Sequence, residues 1–170
     1  IWDWPAYFDT KLKQKGIKLN ISKWQRPPQN SSPWDSKAAG LYMICTLSKH
    51  EAEKQGYTDS LMLDHEGNIA EATSANIFFK DTNDELNTPI PDSFLDGITR
   101  KTVIEIAKSK GIKINERKIS PNELHSFKGC FITGTAAEIT PVASIKGYTF
   151  EVCEMILDLS YTYEKIVVKV

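Results

Sequence analysis

Three observations in the sequence predict a single mixed α+β domain. Between residues 60 and 88, short apolar or alternating stretches are separated by turn residues, the pattern of a sheet built from short strands. Two longer stretches, 41–56 and 97–111, repeat apolar residues at helical spacing and close on a glycine. A chain of 170 residues that is 41% apolar can bury one substantial core but not two large domains.

The elements follow in order. From Pro5 to Gly16, "PAYFDTKLKQKG" has a proline near its start, amphipathic spacing and a terminal glycine, which predicts a helix. "IKLNISKWQ" alternates apolar and polar residues like a half-buried strand, and the prolines of "RPPQNSSPW" end it. Leu41, Ile44, Cys45 and Leu47, followed by "SKHEAEKQG", predict a helix of about four turns closing at Gly56. "SLMLD", the turn "HEGN", "IAEAT", "NIFFK" and "ELNTP" read as an antiparallel meander. "GITRKTVIEIAKSKG" carries Ile98, Val103, Ile104, Ile106 and Ala107 on one face and predicts a second long helix, after which "IKINERKI" returns as a strand. In "SPNELHS", Ser120 as N-cap, Pro121 at the first position and Glu123 at the capping-box place predict a short helix. "GCFITG" and "TPVASI" are strands around a tight loop, and "EVCEMILDLSYTYEKIVV" is apolar at helical spacing.

Composition narrows the function classes. A net charge of −1 gives no general attraction to nucleic acid or an anionic membrane. The longest apolar runs fall far short of the ~20 residues a membrane helix needs. Cys45, Cys130 and Cys153 are widely spaced in apolar surroundings, as expected of buried thiols in a reducing cytoplasm. The three histidines lie far apart and at no metal-ligand spacing, so no metal site is expected. The start, "IWDWPAYFD", has neither a signal-like apolar region nor an initiator methionine, so a fragment of a longer chain is the expectation.

Four stretches carry residues that their surroundings do not explain. Lys37 sits in "DSKAAGLYMICTL", a lysine among small and apolar residues at the entrance to a helix. Glu71 lies in "IAEATSANIF", where alternation leaves open whether its carboxylate faces solvent or the interior. "LDGITRKT" opens a helix at Asp96 and Gly97, and the free N–H groups there either bind an anion or are capped locally. "TGTAAE", from Thr133 to Glu138, sets a glycine between two threonines, a loop that suits close approach of an anion and equally an ordinary turn.

Taken in this order and spacing, "SKAAGLY", "LDHEGNIAEATSANIF", "LNTP", "LDGITR" and "TGTAAEITPV" resemble the large domain of the class IV, or fold type IV, aminotransferases that use pyridoxal 5′-phosphate, branched-chain amino acid aminotransferases above all. The resemblance runs from about Trp4 to Gly147 and implies a large pseudo-barrel domain of short-stranded sheets flanked by helices. It makes Lys37 the Schiff-base lysine and proton carrier, an amine in a dry pocket. Tyr42 corresponds to the tyrosine that bonds the cofactor's phenolic oxygen, and Glu71 to the partner of the pyridine nitrogen. Ile98 and Thr99 match the phosphate cup, Thr135 a further phosphate ligand, and Leu95 the side chain against the ring face. Gly134, Thr135 and Ala136 match the loop that also meets the substrate carboxylate.

What the resemblance implies is transamination between leucine, isoleucine or valine and 2-oxoglutarate, in a cytoplasmic homo-oligomer. D-Amino acid aminotransferases and aminodeoxychorismate lyases share the scaffold, and an inactive large domain lacking half of the site is the non-enzymatic alternative. Family members carry an N-terminal small domain of roughly a hundred residues, a common domain size, and the sequence shows no match to it, so residues 1–170 are expected to be the large domain with a C-terminal helix. Leu41 stands where the family commonly has asparagine, and "EATSAN" where it has the glycine-richer "EGSGEN".

Overall fold

The computed structural model describes residue 8 and residues 10–167. Its first helix, α1 (Thr10–Lys15), is the part of the expected Pro5–Gly16 helix that falls among them; Pro5 to Tyr7 and Asp9 lie outside the described residues. Gly16 turns the chain into strand β1 (Ile17–Gln25) with φ +79°, and a Cβ there would meet the Ala143 nitrogen at 2.8 Å, so only glycine fits. A 3-10 turn at Ala39–Leu41 leads into α2 (Tyr42–Lys54), which lays Cys45, Ser48 and Ala52 against the sheet.

Strands β2 (Asp59–Leu63), β3 (Ile69–Ala72), β4 (Asn76–Lys80) and β5 (Leu86–Thr88) form in the expected segments, and α3 (Ile98–Ser109) follows. After it come β6 (Ile114–Glu116), β7 (Gly129–Gly134), β8 (Glu138–Ile145), β9 (Tyr148–Thr149) and α4 (Glu154–Val167). These strands make one sheet in the order β3-β2-β1-β8-β7-β4-β5-β6, with β9 beside β8. The expected antiparallel meander is corrected at one step, since β3 and β4 do not pair. β2–β3 and β4–β5 are antiparallel, but β1–β2 and β5–β6 are parallel because α2 and α3 carry the chain back to its starting end between those strands.

Consecutive strands β3 and β4 are not paired, although only Thr73, Ser74 and Ala75 join them. Three residues span roughly 10 Å, so the sheet curls until its first strand lies beside β4. The Ala72 amide then donates to the Ala75 carbonyl at 2.8 Å. The same curl explains why β6 is shorter than the expected 112–119 strand: beyond it the chain crosses over, and the Ile119 carbonyl accepts from the Ile69 amide of β3 at 2.8 Å.

Ser120 and Glu123 form the full capping box, but the turn they open, Pro121–Ser126, is 3-10 and ends at an extended Phe127. Strand β9 was not anticipated; Lys146 and Gly147, at φ +41° and +97°, turn the chain back to pair it with β8. Helix α4 starts three residues after Glu151, where the expected segment begins, and Val168, where that segment ends, lies outside the described residues.

Both faces of the central strands are buried, which gives two cores. Ile77, Phe79, Cys130 and Ile132 point into the curl, with Phe79 stacked on Phe127 at 4.8 Å between centroids. Phe78 and Phe131 point the other way, stacked at 5.0 Å, under Val103 and Ala107 of α3 and Ile156 and Leu159 of α4. Each such aliphatic or aromatic side chain contributes about 1.5–3 kcal/mol on burial. The interior is thus rigid behind the open end of the curl, where the chemistry-bearing residues gather.

Candidate active site

The curl leaves a cavity of about 300 Å³ at the C-terminal ends of β1, β3 and β7. Lys37, Tyr42, Glu71, Leu95, Ile98, Thr99, Gly134 and Thr135 all line it. Ala136 does not, and is exposed. The lysine and the glutamate, 34 positions apart in sequence, share one cavity because the approach to α2 and strand β3 flank the same end of the sheet.

The dry setting that the resemblance implies for Lys37 is not supplied by the described residues. The side chain stands exposed at the cavity rim, where the loop before α2 meets no covering element among the described residues. Glu71 is the opposite case. All four residues of β3 are buried, so alternation offers it no solvent face. Its Oε1 lies 3.4 Å from Nε of Arg26, which follows β1 and is itself buried. Burial pushes the Glu71 carboxyl up to about 8, the Arg26 guanidinium opposes this, and Asp59 adds to it. Arg26 is anchored elsewhere too: its Nε donates to the Ser93 carbonyl at 3.3 Å, and its Nη1 to the Leu41 carbonyl at 3.4 Å and Sγ of Cys45 at 3.3 Å. Tyr42, in the first turn of α2, is half-buried, and burial followed by the Glu71 charge raises its phenol.

At the other end of the cavity α3 begins. Gly97 is the N-cap and no side chain caps it; Asp96 pairs with Arg100 at 2.8 Å instead, which sets aside the local-cap alternative for that residue. The first N–H groups of the helix, those of Ile98 and Thr99, have no preceding turn to bond and carry the positive end of the helix dipole. Asn76, at the start of β4, holds this entry in place: its Nδ2 donates to the Leu95 carbonyl at 2.8 Å, and its Oδ1 accepts from the Gly97 amide at 3.2 Å. Thr133 supplies a further polar group, a buried Oγ1 with no hydrogen-bond partner among the described residues.

Arg26 and Asn76 were not singled out from sequence, whereas Thr133 was, as part of the "TGTAAE" loop, and Cys45 only as a buried thiol. Arg26 sits at the edge of a proline-rich break and looks like a loop cation, and its role appears only with its buried partner. Asn76 had a signal, a polar residue opening an otherwise apolar strand. Together the groups make a cavity with an acid at one end and a helix N terminus with hydroxyls at the other. That polarity suits a flat, dipolar ligand carrying a basic nitrogen and a phosphate. Among the described residues no group of three or more histidine, cysteine, aspartate or glutamate side chains is arranged to hold a metal ion, and no helix is long and apolar enough to cross a membrane.

Residues 2–145 match the family model for amino-transferase class IV. The probable branched-chain-amino-acid aminotransferase of Rickettsia typhi is 45% identical over 159 residues, covering 91% of this chain and 54% of the relative. The branched-chain-amino-acid aminotransferase of Escherichia coli K12 is 37% identical over 144 residues, 85% of this chain and 47% of the relative. The chain spans about half the length of the curated relatives it matches. The crystal structure of the branched-chain aminotransferase from the thermophilic archaeon Thermoproteus uzoniensis with norvaline superposes with a TM-score of 0.88 at 36% identity, over 94% of this chain and 54% of that one. A crystal structure of a branched-chain amino acid aminotransferase with pyridoxamine 5′-phosphate superposes with a TM-score of 0.91 at 34% identity, over 98% of this chain and 55% of that one.

Proposed function

From a chain that belongs to the class IV aminotransferase family, we propose the cofactor-holding large domain of a pyridoxal 5′-phosphate-dependent branched-chain aminotransferase. The observation that carries this reading is the convergence of Lys37, Tyr42, Glu71, the start of α3 and the Thr133–Thr135 segment on one cavity. The residues present fit the cofactor on two counts: a buried, orphaned Thr133 hydroxyl and uncapped helix N–H groups await an anion, and a buried acid faces the other end.

When bound, the cofactor supplies an aldehyde for an amine to attack and a ring that accepts electrons from the substrate Cα. Lys37 Nζ, at the cavity rim, would supply the amine that meets this aldehyde and would carry the proton released from the substrate. Glu71 would accept a hydrogen bond from the protonated ring nitrogen, and that adjacent positive charge would draw the carboxyl down from about 8 so that it ionises. Tyr42, kept protonated, donates to the phenolic oxygen. The amides of Ile98 and Thr99 with the hydroxyl of Thr135 would hold the phosphate, and Leu95 would offer an apolar side chain to the ring. Gly134, Thr135 and the neighbouring Ala136 meet the substrate carboxylate. Branched-chain L-amino acids and 2-oxoglutarate are the proposed substrates, supported by the names of the relatives. Lys37 lies exposed at the rim, so in this reading a further domain or a second subunit of a homo-oligomer closes over it and excludes water.

Borohydride reduction of the intact protein mixed with pyridoxal 5′-phosphate tests this. A covalent adduct is expected on Lys37 and not in Lys37→Ala; an adduct confined to other lysines, or none, overturns the proposal. Half-reactions with L-leucine and D-alanine then separate the branched-chain type, which consumes the first, from D-specific enzymes.

A further inference from the structure

Behind the cavity lies a second acid that the proposed chemistry does not use. Asp59 opens β2 and has no solvent exposure. One of its oxygens, Oδ1, accepts from Thr73 Oγ1 at 2.5 Å and from the Ser60 amide at 2.8 Å. The other, Oδ2, is buried with no hydrogen-bond partner among the described residues. Thr73 is the first residue of the link between β3 and β4 and lines the cavity, two residues after Glu71. Asp59 therefore touches the site through one hydroxyl.

We propose that Asp59 is a positioning residue that acts as a neutral carboxylic acid: it holds Thr73, and with it the 73–75 link, and leaves Glu71 as the carboxyl that ionises when a cation enters the cavity. An ionised carboxylate with one oxygen dry and unpartnered is far costlier than the neutral acid in the same place. The charges facing Asp59 do not reverse this. Burial raises the carboxyl and outweighs the bonds from Thr73 and Ser60, which are the main opposition; from α2, Lys49 favours the ionised form more weakly and Glu53 opposes it. From β3, Glu71 faces the same dry region, and repulsion between the two carboxylates disfavours ionising both at once. Arg26 is already set against Glu71 and Cys45. One charge is thus affordable there, and the acid with a cation-facing position takes it.

The second half of this inference rests on the cofactor reading, so the test separates the two. Infrared spectra of the intact protein without cofactor, at neutral pH, are expected to show two buried carboxylic-acid carbonyl bands, one lost in Asp59→Asn and the other in Glu71→Gln. If Asp59→Asn removes no acid band, the proposal is wrong. On addition of pyridoxal 5′-phosphate the Glu71 band is expected to disappear while the Asp59 band stays; loss of the Asp59 band also overturns the proposal. Retention of both bands counts against the cofactor reading alone, the state of Asp59 being already decided in the cofactor-free spectra. Asp59→Ala, which deprives Thr73 of its acceptor, is expected to weaken pyridoxal 5′-phosphate binding roughly tenfold, with Asp59→Asn restoring it to within about twofold. Failure of the asparagine to rescue binding would mean that a charge, not a neutral acceptor, is needed.

Discussion

Replacing Glu71 by glutamine should make the cofactor-free protein more stable at neutral pH while removing the acid the proposed chemistry needs. The carboxyl ionises at about 8 in the folded chain and at 4.5 as an unperturbed side chain. Between those values the unfolded chain binds fewer protons than the folded one, so stability falls as pH rises through the window and levels off above about 8. At pH 7 roughly 2.5 pH units of that window have been crossed, at about 1.4 kcal/mol each, a loss of about 3 kcal/mol. Glutamine keeps the shape and has no proton to lose. The two proteins should therefore unfold alike near pH 4 and diverge by about 3 kcal/mol at pH 7, roughly 1–2 M in urea midpoint. Urea titrations followed by tryptophan fluorescence across pH 4–9 measure this, and carboxyls remote from Glu71 contribute equally to both curves. Parallel profiles, or a wild type that is the more stable protein at pH 8, would show that Arg26 at 3.4 Å keeps Glu71 ionised and that burial does not dominate.

Two further outcomes follow from local geometry. Gly97→Ala places a Cβ 2.5 Å from Oδ1 of Asn76 and breaks the clamp on the start of α3; pyridoxal 5′-phosphate affinity, read by fluorescence titration, should fall roughly tenfold with little change in thermal stability. Ser120→Ala removes the capping box of the Pro121–Ser126 turn and should cost about 1 kcal/mol in chemical unfolding, with cofactor binding unchanged because the turn is remote from the cavity.

Some features were legible because their causes are local. The span of β1 follows from the glycine before it and the prolines after it, and the capping box from three residues of "SPNELHS". The stop of α3 is set by Gly111, whose φ of +74° ends the helical run. Others were not, because their causes lie far away in sequence. Strand β6 stops after Glu116 because Ile119 is drawn across to Ile69, and nothing in "IKINERKI" announces that partner. The setting of Lys37 likewise depends on what covers its loop: the dry pocket was implied by the resemblance and not by its small apolar neighbours, and the loop lies at an open rim.

The amino-acid order alone determined where helices and strands form and which residues are unusual for their surroundings, since spacing, caps and turns act over a few residues. Only the folded chain decided the strand order, the parallel pairs made by α2 and α3, and the curl forced by three residues between β3 and β4. From that curl come the burial of Glu71, its pairing with Arg26 and the isolation of Asp59. The energy of a charge depends on how much water and which partners surround it, and those are set by segments brought together from across the sequence.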